Sequence, residues 1–260
     1  MPTGKRKFLH HMNTELPEIS VVIPAFNEES RLKSTLSSVS TFLRSREIHY
    51  EVLVVDDGSS DATSAVARGF AEQAVHALQL DCNQGKGAAV RHGILSSRGA
   101  QVLISDADLS TPIEDLLKLR PHLQDVPIVI GSRAVEDSDV VVRQPIYREL
   151  MGKTFNKLIR LAGVWGIDDT QCGFKLLDGD VARRLFDIMI TPGFAFDVEL
   201  VWLAGRLGFG VREVGVAWHN SPSSRVQPLL DPPKMLLEIL RFRIHHRGLK
   251  ADPSAAPPSS

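Results

Sequence analysis

The sequence predicts an α/β protein built on a mostly parallel central sheet, and three observations predict it. Strand-like apolar runs alternate with helical periodicities from residue 19 to residue 130. Acidic clusters stand directly after two of those runs, Asp56-Asp57 and Asp106-Ala107-Asp108. The composition, 43% apolar and 23% charged over 260 residues, suits one sizeable globular domain.

Ile19-Ser-Val-Val-Ile-Pro opens the pattern as a short β-rich run. Residues 29–44 read as a helix, because Leu32, Leu36, Val39 and Leu43 recur on one face. Residues 50–55 form the second strand, ended by Asp56-Asp57-Gly58, and Asp61 is a candidate cap for a helix over 62–72. A weaker strand over 75–80, a helix over 86–97, a strand over 101–105, a helix over 113–123 and a strand over 126–130 complete the regular part. Strand–helix–strand alternation implies right-handed crossovers and parallel pairing. Beyond Ser132 the pattern loosens: helices are expected over 147–161, 179–189 and 197–207, and a strand over 211–218. The last helix, 232–246, has Asp231 as its candidate cap and prolines tolerated in its first turn.

Residues 1–17 read as a flexible leader, 18–247 as one folded domain, and 248–260, rich in Pro, Ser and Ala, as a disordered tail. Residues 1–13 are basic but lack the apolar stretch of a signal peptide. A run of roughly 18 apolar residues is missing, so no transmembrane helix is expected and the default compartment is the cytosol. Thirty basic against 31 acidic residues leave a net charge of −1, which argues against a nucleic-acid binder. Two cysteines, Cys82 and Cys172, exclude a disulfide scaffold and a Cys-x-x-Cys zinc site.

In open parallel sheets, ligands sit at the carboxyl ends of strands, where both acidic clusters fall. Asp106 and Asp108, two apart at a strand end, point to one face. Such carboxylates repel unless something positive lies between them. A divalent metal whose oxygen shell a diphosphate completes is one solution. The other is an acidic turn in which Asp108 accepts local backbone N–H groups. Gly85-Lys86-Gly87 opens a helix and offers backbone N–H groups and a cation to an anion, or is a plain loop-to-helix turn. The phosphate loop Gly-x-x-x-x-Gly-Lys-Ser/Thr and the dinucleotide fingerprint Gly-x-Gly-x-x-Gly are absent, which weighs against the commonest kinase and dehydrogenase readings. Asp197 and Glu199 fall at a predicted helix start, where dipole complementation accounts for them and a site role stays open. Cys172 reads as a small packed residue. His219 and His245-His246 have no companions at metal-like spacing.

Val22-Ile-Pro-Ala-Phe-Asn-Glu-Glu29, Val55-Asp-Asp-Gly-Ser-Ser-Asp61 and Ser105-Asp-Ala-Asp108 occur in that order. Together they resemble the GT-A fold of family 2 glycosyltransferases. Gly131-Ser-Arg133, Arg148-Glu-Leu-Met-Gly-Lys-Thr-Phe-Asn156 and Asp169-Thr-Gln-Cys-Gly-Phe-Lys175 narrow the likeness to the dolichyl-phosphate glucose and mannose synthases, nearest the glucosyltransferase branch. The resemblance spans about residues 18–247. It implies a transferase that moves a hexose from a nucleotide sugar onto a polyprenyl phosphate. Pro24, Ala25, Phe26 and Glu28 would line the base and ribose pocket, with Phe26 standing where many relatives carry Tyr. Asp56 or Asp57 would bind the nucleoside, and Lys86 would sit near the nucleotide. Asp106, Ala107 and Asp108 would meet the donor, with both aspartates holding Mg²⁺ or Mn²⁺ against its diphosphate. Arg133 and Arg148 would face the acceptor phosphate, and Arg225, in Ser223-Ser-Arg225, would close over the donor diphosphate. UDP-glucose is the donor this branch implies, with GDP-mannose as the alternative.

The chemistry suits those residue types. Charge grows on the leaving diphosphate as the C1–O bond breaks, and a metal and an arginine stabilise it. A phosphate monoester, with a second pKa near 6, is already mostly dianionic at neutral pH and needs little help from a general base. Arginine's planar fork binds such a phosphate in a bidentate way. Direct displacement with inversion is expected, giving a β-linked product from an α-linked donor.

A polyprenyl acceptor lives in a bilayer. Met235, Leu236, Leu237, Ile239, Leu240, Phe242 and Ile244 interleave with Lys234, Arg241, Arg243, His245, His246, Arg247 and Lys250, so the last helix either lies at an anionic interface or packs on the core with a solvated basic end. The segment 135–163 is a second candidate for lipid contact. A peripheral position on the cytosolic face of a membrane follows. Other readings are transfer to a soluble sugar or glycerate, a nucleotidyltransferase, and a non-catalytic nucleotide-sugar sensor. Arg133 and Arg148 argue against the first. Pro24-Ala-Phe-Asn-Glu28, neither Gly-rich nor basic, argues against the second. The intact Asp106, Asp108, Arg133 and Arg225 argue against the third.

Overall fold

The computed structural model describes residues 16–135, 167–219 and 231–250. In chain order these hold β1 (Ile19–Ala25), α1 (Glu29–Ser45), β2 (Tyr50–Asp56), α2 (Thr63–Arg68), β3 (Val75–Gln79), α3 (Lys86–Ser96) and β4 (Gln101–Ile104). There follow α4 (Leu116–Leu119), β5 (Ile128–Ser132), β6 (Lys175–Asp178), α5 (Gly179–Ile188), α6 (Phe196–Leu207), β7 (Val211–Gly215) and α7 (Asp231–His245). The helix expected over 147–161, Arg148 and Arg225 lie outside the described residues.

The seven strands form one sheet in the order β3-β2-β1-β4-β6-β5-β7. β1 runs parallel to β2 and β4, β2 to β3, and β5 to β7. β6 alone among them is antiparallel, wedged between β4 and β5. That exception matters for function. An antiparallel strand begins where its parallel neighbours end: Lys175, the first residue of β6, pairs with Ile104, the last of β4. The segment leading into β6 therefore arrives at the same edge as the carboxyl ends of β1, β2, β4 and β5.

β1 and β2 are buried almost throughout, as strands covered on both faces should be. α1 buries Leu32, Leu36, Val39 and Leu43, the face its periodicity predicted. Two expected helices come out shorter. The one foreseen over 62–72 is α2, ended at its cap Gly69, followed by a 3₁₀ turn at Ala71–Gln73. The one foreseen over 113–123 is α4 flanked by 3₁₀ turns at Ile113–Asp115 and Arg120–Gln124, because Pro121 supplies no N–H to continue an α-helix. The predicted strand over 211–218 ends at Gly215. α5 begins where Asp178 caps it, accepting from the N–H groups of Asp180 and Val181 at 3.0 and 3.1 Å.

β6 was not foreseen. Lys175 is its fully buried first residue, and its ammonium is satisfied by the Cys172 carbonyl and by Asp197 Oδ1 at 2.5 Å. α7 presents two apolar faces. Met235, Ile239 and Phe242 are buried, as is His246 just past the helix end, while Leu237, Leu240 and Ile244 are 67, 50 and 66% exposed. No described helix is long and apolar enough to cross a membrane.

Candidate active site

Every described residue that the sequence nominated lies at or just beyond the carboxyl edge of the sheet. Pro24 and Ala25 end β1, and Phe26 and Glu28 follow in its loop. That loop is clasped to the one after β2. Asn27 adopts φ 52°, a left-handed geometry that Asn tolerates, and its N–H donates to Ser59 Oγ while its Oδ1 accepts from Ser60 N. Glu28 N donates to Thr63 Oγ1 at 2.7 Å, and Glu29 Oε2 accepts from Ala62 N at 2.8 Å. Asp61, expected as a helix cap, accepts from Thr63 N and also from Glu29 N, so it stitches both loops.

Asp56 and Asp57 are both buried but differently used. Asp57 spends both oxygens on the backbone ahead of α3, accepting from Gln84 N at 2.7 Å and Gly85 N at 2.9 Å. Burial pushes its carboxyl above the ordinary range against those bonds. Asp56 accepts from Ser59 N through Oδ1, while its buried Oδ2 has no partner among the described residues.

Lys86 is the first residue of α3, and its Nζ lies 2.6 Å from Asp106 Oδ1. Burial would lower the Lys86 pKa, but Asp106 and then Asp197 outweigh it and hold the ammonium above its ordinary value. Burial likewise opposes ionisation of Asp106, and Lys86 reverses it, so Asp106 stays ionised below the usual carboxylate range. The chain brings Lys86 there because Gly85 adopts φ 106° and packs against Pro192, where a β-carbon would meet the Pro192 carbonyl oxygen at 2.5 Å.

Asp108 Oδ1 accepts from Ser110 N at 3.0 Å, the local turn bond foreseen as its structural alternative. Its Oδ2 faces Arg31 Nη1 at 3.8 Å, and Arg31 Nε pairs with Glu28. Arg31 was missed in the sequence, where it reads as one more solvated helix cation. Among the described residues no three His, Cys, Asp or Glu side chains converge on a metal position. Carboxylate oxygens such as those of Asp106 and Asp108 are the ligand type a hard divalent cation takes, and the Lys86 ammonium beside Asp106 shows that this carboxylate draws positive charge.

Arg133 follows β5 and grips Asp169: Nε to Oδ2 at 2.7 Å and Nη2 to Oδ1 at 2.8 Å, with its own N–H on Oδ2 at 3.0 Å. Its guanidinium lies 5.5 Å from the Trp218 ring centroid. Burial opposes the charge on Asp169, but Arg133 holds that carboxyl below its ordinary range. Asp169 is set in turn by Glu213 on β7, which accepts from Asp168 N and Asp169 N, both at 2.8 Å. Buried Cys172 has its thiol pushed up by burial, which leaves it inert, as its reading as a packed residue expects.

Asp197 turns to Lys175, while Glu199, fully buried, accepts from Thr191 N at 2.7 Å and pairs with His246 Nε2 at 2.7 Å. Glu199 and His246 are thus structural, tying α6 to α7. Lys175 and Gly173 join Arg31 as site neighbours that sequence reasoning did not identify, and Asp197, whose site role the sequence left open, is the partner of Lys175. Lys86, Lys175 and Arg133 all act on the Asp106 charge, so these ion pairs form one electrostatic cluster around it.

Known proteins resemble this chain over most of its length. Residues 20–186 match the family model described as glycosyl transferase family 2. The dolichyl-phosphate beta-glucosyltransferase of Drosophila melanogaster is 41% identical over 81% of this chain and 70% of its own length. Its namesakes from Homo sapiens and Saccharomyces cerevisiae are 36 and 30% identical over 88 and 90% of this chain, each covered over 76% of its length. Among solved structures, glucosyl-3-phosphoglycerate synthase from Mycobacterium tuberculosis, crystallised with Mn²⁺, UDP and phosphoglyceric acid, superposes with a TM-score of 0.63 at 19% identity, over 90% of this chain and 79% of that one. Mannosyl-3-phosphoglycerate synthase from Rubrobacter xylanophilus does so at 0.61 and 21% identity, over 89 and 74%. At such identities these two structures speak for the shared fold alone.

Proposed function

This chain belongs to glycosyl transferase family 2, and from that premise we propose that it transfers glucose from UDP-glucose to a dolichyl or related polyprenyl phosphate with inversion at C1. The observation that carries the reading is the convergence at one sheet edge of Asp56, Lys86, Asp106, Asp108 and the Arg133–Asp169 pair. Its relatives named as dolichyl-phosphate beta-glucosyltransferases supply the sugar and the acceptor class.

Pro24, Ala25, Phe26 and Glu28 form the wall against which the nucleoside lies, and Asp56 is its acceptor partner, because Asp57 is occupied by Gln84 N and Gly85 N. Asp106 and Asp108 hold Mg²⁺ or Mn²⁺ beside Ala107. When bound, that ion withdraws charge from the leaving diphosphate. Lys86 adds a second positive charge at the same edge. Arg133, its plane fixed by Asp169, meets the acceptor phosphate, and Arg148 and Arg225 complete the acceptor and donor contacts. The acceptor dianion attacks directly, so no side chain is needed to take a proton from it.

The folded unit is one domain over 18–247, and it works from a membrane surface on the cytosolic side. The exposed Leu237, Leu240 and Ile244, flanked by Arg241, Arg243 and Arg247, support contact with an anionic interface. The test is transfer to a short polyprenyl phosphate in detergent with Mg²⁺ or Mn²⁺. UDP-glucose and GDP-mannose run side by side, and Asp108→Ala is the control. Lipid-linked glucose, lost in the variant, is the expected product. Product from GDP-mannose alone would reassign the donor, and transfer only to a soluble phosphoglycerate would remove the lipid acceptor.

A further inference from the structure

We propose that Lys86 is a built-in substitute for the divalent cation at Asp106, and that it makes metal binding conditional on the nucleotide. The inference rests on the reading of Asp106 and Asp108 as the metal-holding pair. It begins from a distance: Lys86 Nζ lies 2.6 Å from Asp106 Oδ1, within direct ion-pair range. The same ammonium is within electrostatic reach of Asp197 and Asp108, and it sits 6.0 Å from the Phe196 ring centroid. Its side chain is 21% exposed, and that of Asp106 is 35% exposed, so the pair borders solvent and the ammonium has room to leave.

The consequence is a matter of charge. A divalent ion arriving alone must displace an ammonium from the carboxylate it needs. It then stands next to the displaced cation at short range, where like charges repel. Lys175, already committed to Asp197 and the Cys172 carbonyl, adds further positive charge. A divalent ion arriving with a nucleoside diphosphate brings the anion that the displaced ammonium can take as its new partner. Metal and nucleotide therefore assist each other, and by linkage the assistance is mutual. In the absence of donor, Lys86 keeps Asp106 paired and oriented.

The test is Mn²⁺ binding, followed by the electron paramagnetic resonance of free Mn²⁺, with and without UDP. It uses the full chain as wild type, Lys86→Met, Lys86→Gln and Asp108→Asn, each checked by thermal melt. In the wild type, UDP is expected to tighten Mn²⁺ by about tenfold or more, within the usual range of site-to-site coupling. Lys86→Met and Lys86→Gln are expected to bind Mn²⁺ alone about fivefold or more tightly than wild type, with a smaller gain on adding UDP. Folded Lys86 variants that bind Mn²⁺ alone no better than wild type would overturn the proposal. If instead Asp108→Asn binds Mn²⁺ with UDP as tightly as wild type does, the metal reading beneath the proposal fails, and the two failures are distinguishable.

Discussion

A β-carbon added to Gly173 would stand 2.0 Å from Oδ2 of Asp106, far inside van der Waals contact. The backbone leading into β6 therefore forms one wall of the Asp106 carboxylate, with Lys86 on Oδ1 as its other partner. Gly173→Ala must push Asp106 away from that position or shift the 169–174 segment. A displacement of about 1 Å at a reacting centre costs roughly a hundredfold in rate. We expect transfer activity to fall by about that factor, with overpacking costing about 1–3 kcal/mol of stability. Transfer rates paired with urea unfolding check this: activity within a fewfold of wild type would mean that the wall is not needed.

Asp169 and Arg133 form a fork-to-fork pair in which the carboxylate fixes the guanidinium plane. Asp169→Asn keeps the shape but removes the charge and one acceptor oxygen. We expect kcat/KM toward the acceptor phosphate to fall about ten- to hundredfold, while UDP affinity, which the proposed function assigns to other residues, stays within about twofold. Arg133→Lys should lose as much, because an ammonium cannot present two parallel donors. Equal losses in UDP binding and acceptor turnover would show that the pair supports the fold rather than the acceptor.

Much of this site was readable in the sequence because its parts are local. Asp56 and Asp106 follow apolar runs, and the rule that ligands gather at strand ends needs no tertiary information. β6 was not readable. Lys-Leu-Leu-Asp is four residues long, too short to show a period, and its leading Lys175 is buried only because Asp197, 22 residues on, meets it. Gly173 stood in the sequence only as one residue of the Asp169–Lys175 motif, and its tight approach to Asp106 exists only once β6 runs antiparallel to β4. The different hydrogen bonding of Asp56 and Asp57 was likewise invisible, because Gln84 and Gly85, which donate to Asp57, sit on a different loop. His246 had no companion in the sequence because its partner Glu199 is 47 residues away.

Glu51 gives the fold a pH dependence that can be isolated. It is buried on β2, where Oε1 accepts from Ser20 Oγ and Arg98 N and Oε2 from the Arg98 guanidinium. Burial alone would raise its pKa, but these bonds outweigh it and hold Glu51 below its ordinary value of 4.5. A depressed folded pKa means that the stabilisation is complete above the unfolded value and is lost as pH falls through the folded one. Glu51→Gln should therefore cost about 1–3 kcal/mol at pH 7, with the gap to wild type narrowing below about pH 4.5. Urea unfolding of both proteins at pH 7, 5 and 3.5 reads this directly, and parallel curves across that range would count against it.

The outward face of α7 can be tested without disturbing the core. Leu237 and Ile244 are 67 and 66% exposed, while Met235, Ile239 and Phe242 do the packing, so Leu237→Glu with Ile244→Glu should leave the melting temperature nearly unchanged. At an anionic interface the same change removes two inserting apolar groups and adds two negative charges beside Arg241, Arg243 and Arg247. Full burial of one such side chain contributes about 1.5–3 kcal/mol, and about 1.4 kcal/mol is a factor of ten in affinity. Even partial insertion of both therefore predicts at least a roughly tenfold loss of binding to vesicles containing anionic lipid. Wild-type binding should also weaken as salt rises, because the arginines act through a screened surface potential. Co-sedimentation with vesicles at two salt concentrations measures both effects. Undiminished binding by the double variant would move the membrane contact off α7, with the segment 135–163, the other candidate from the sequence, as the next to substitute.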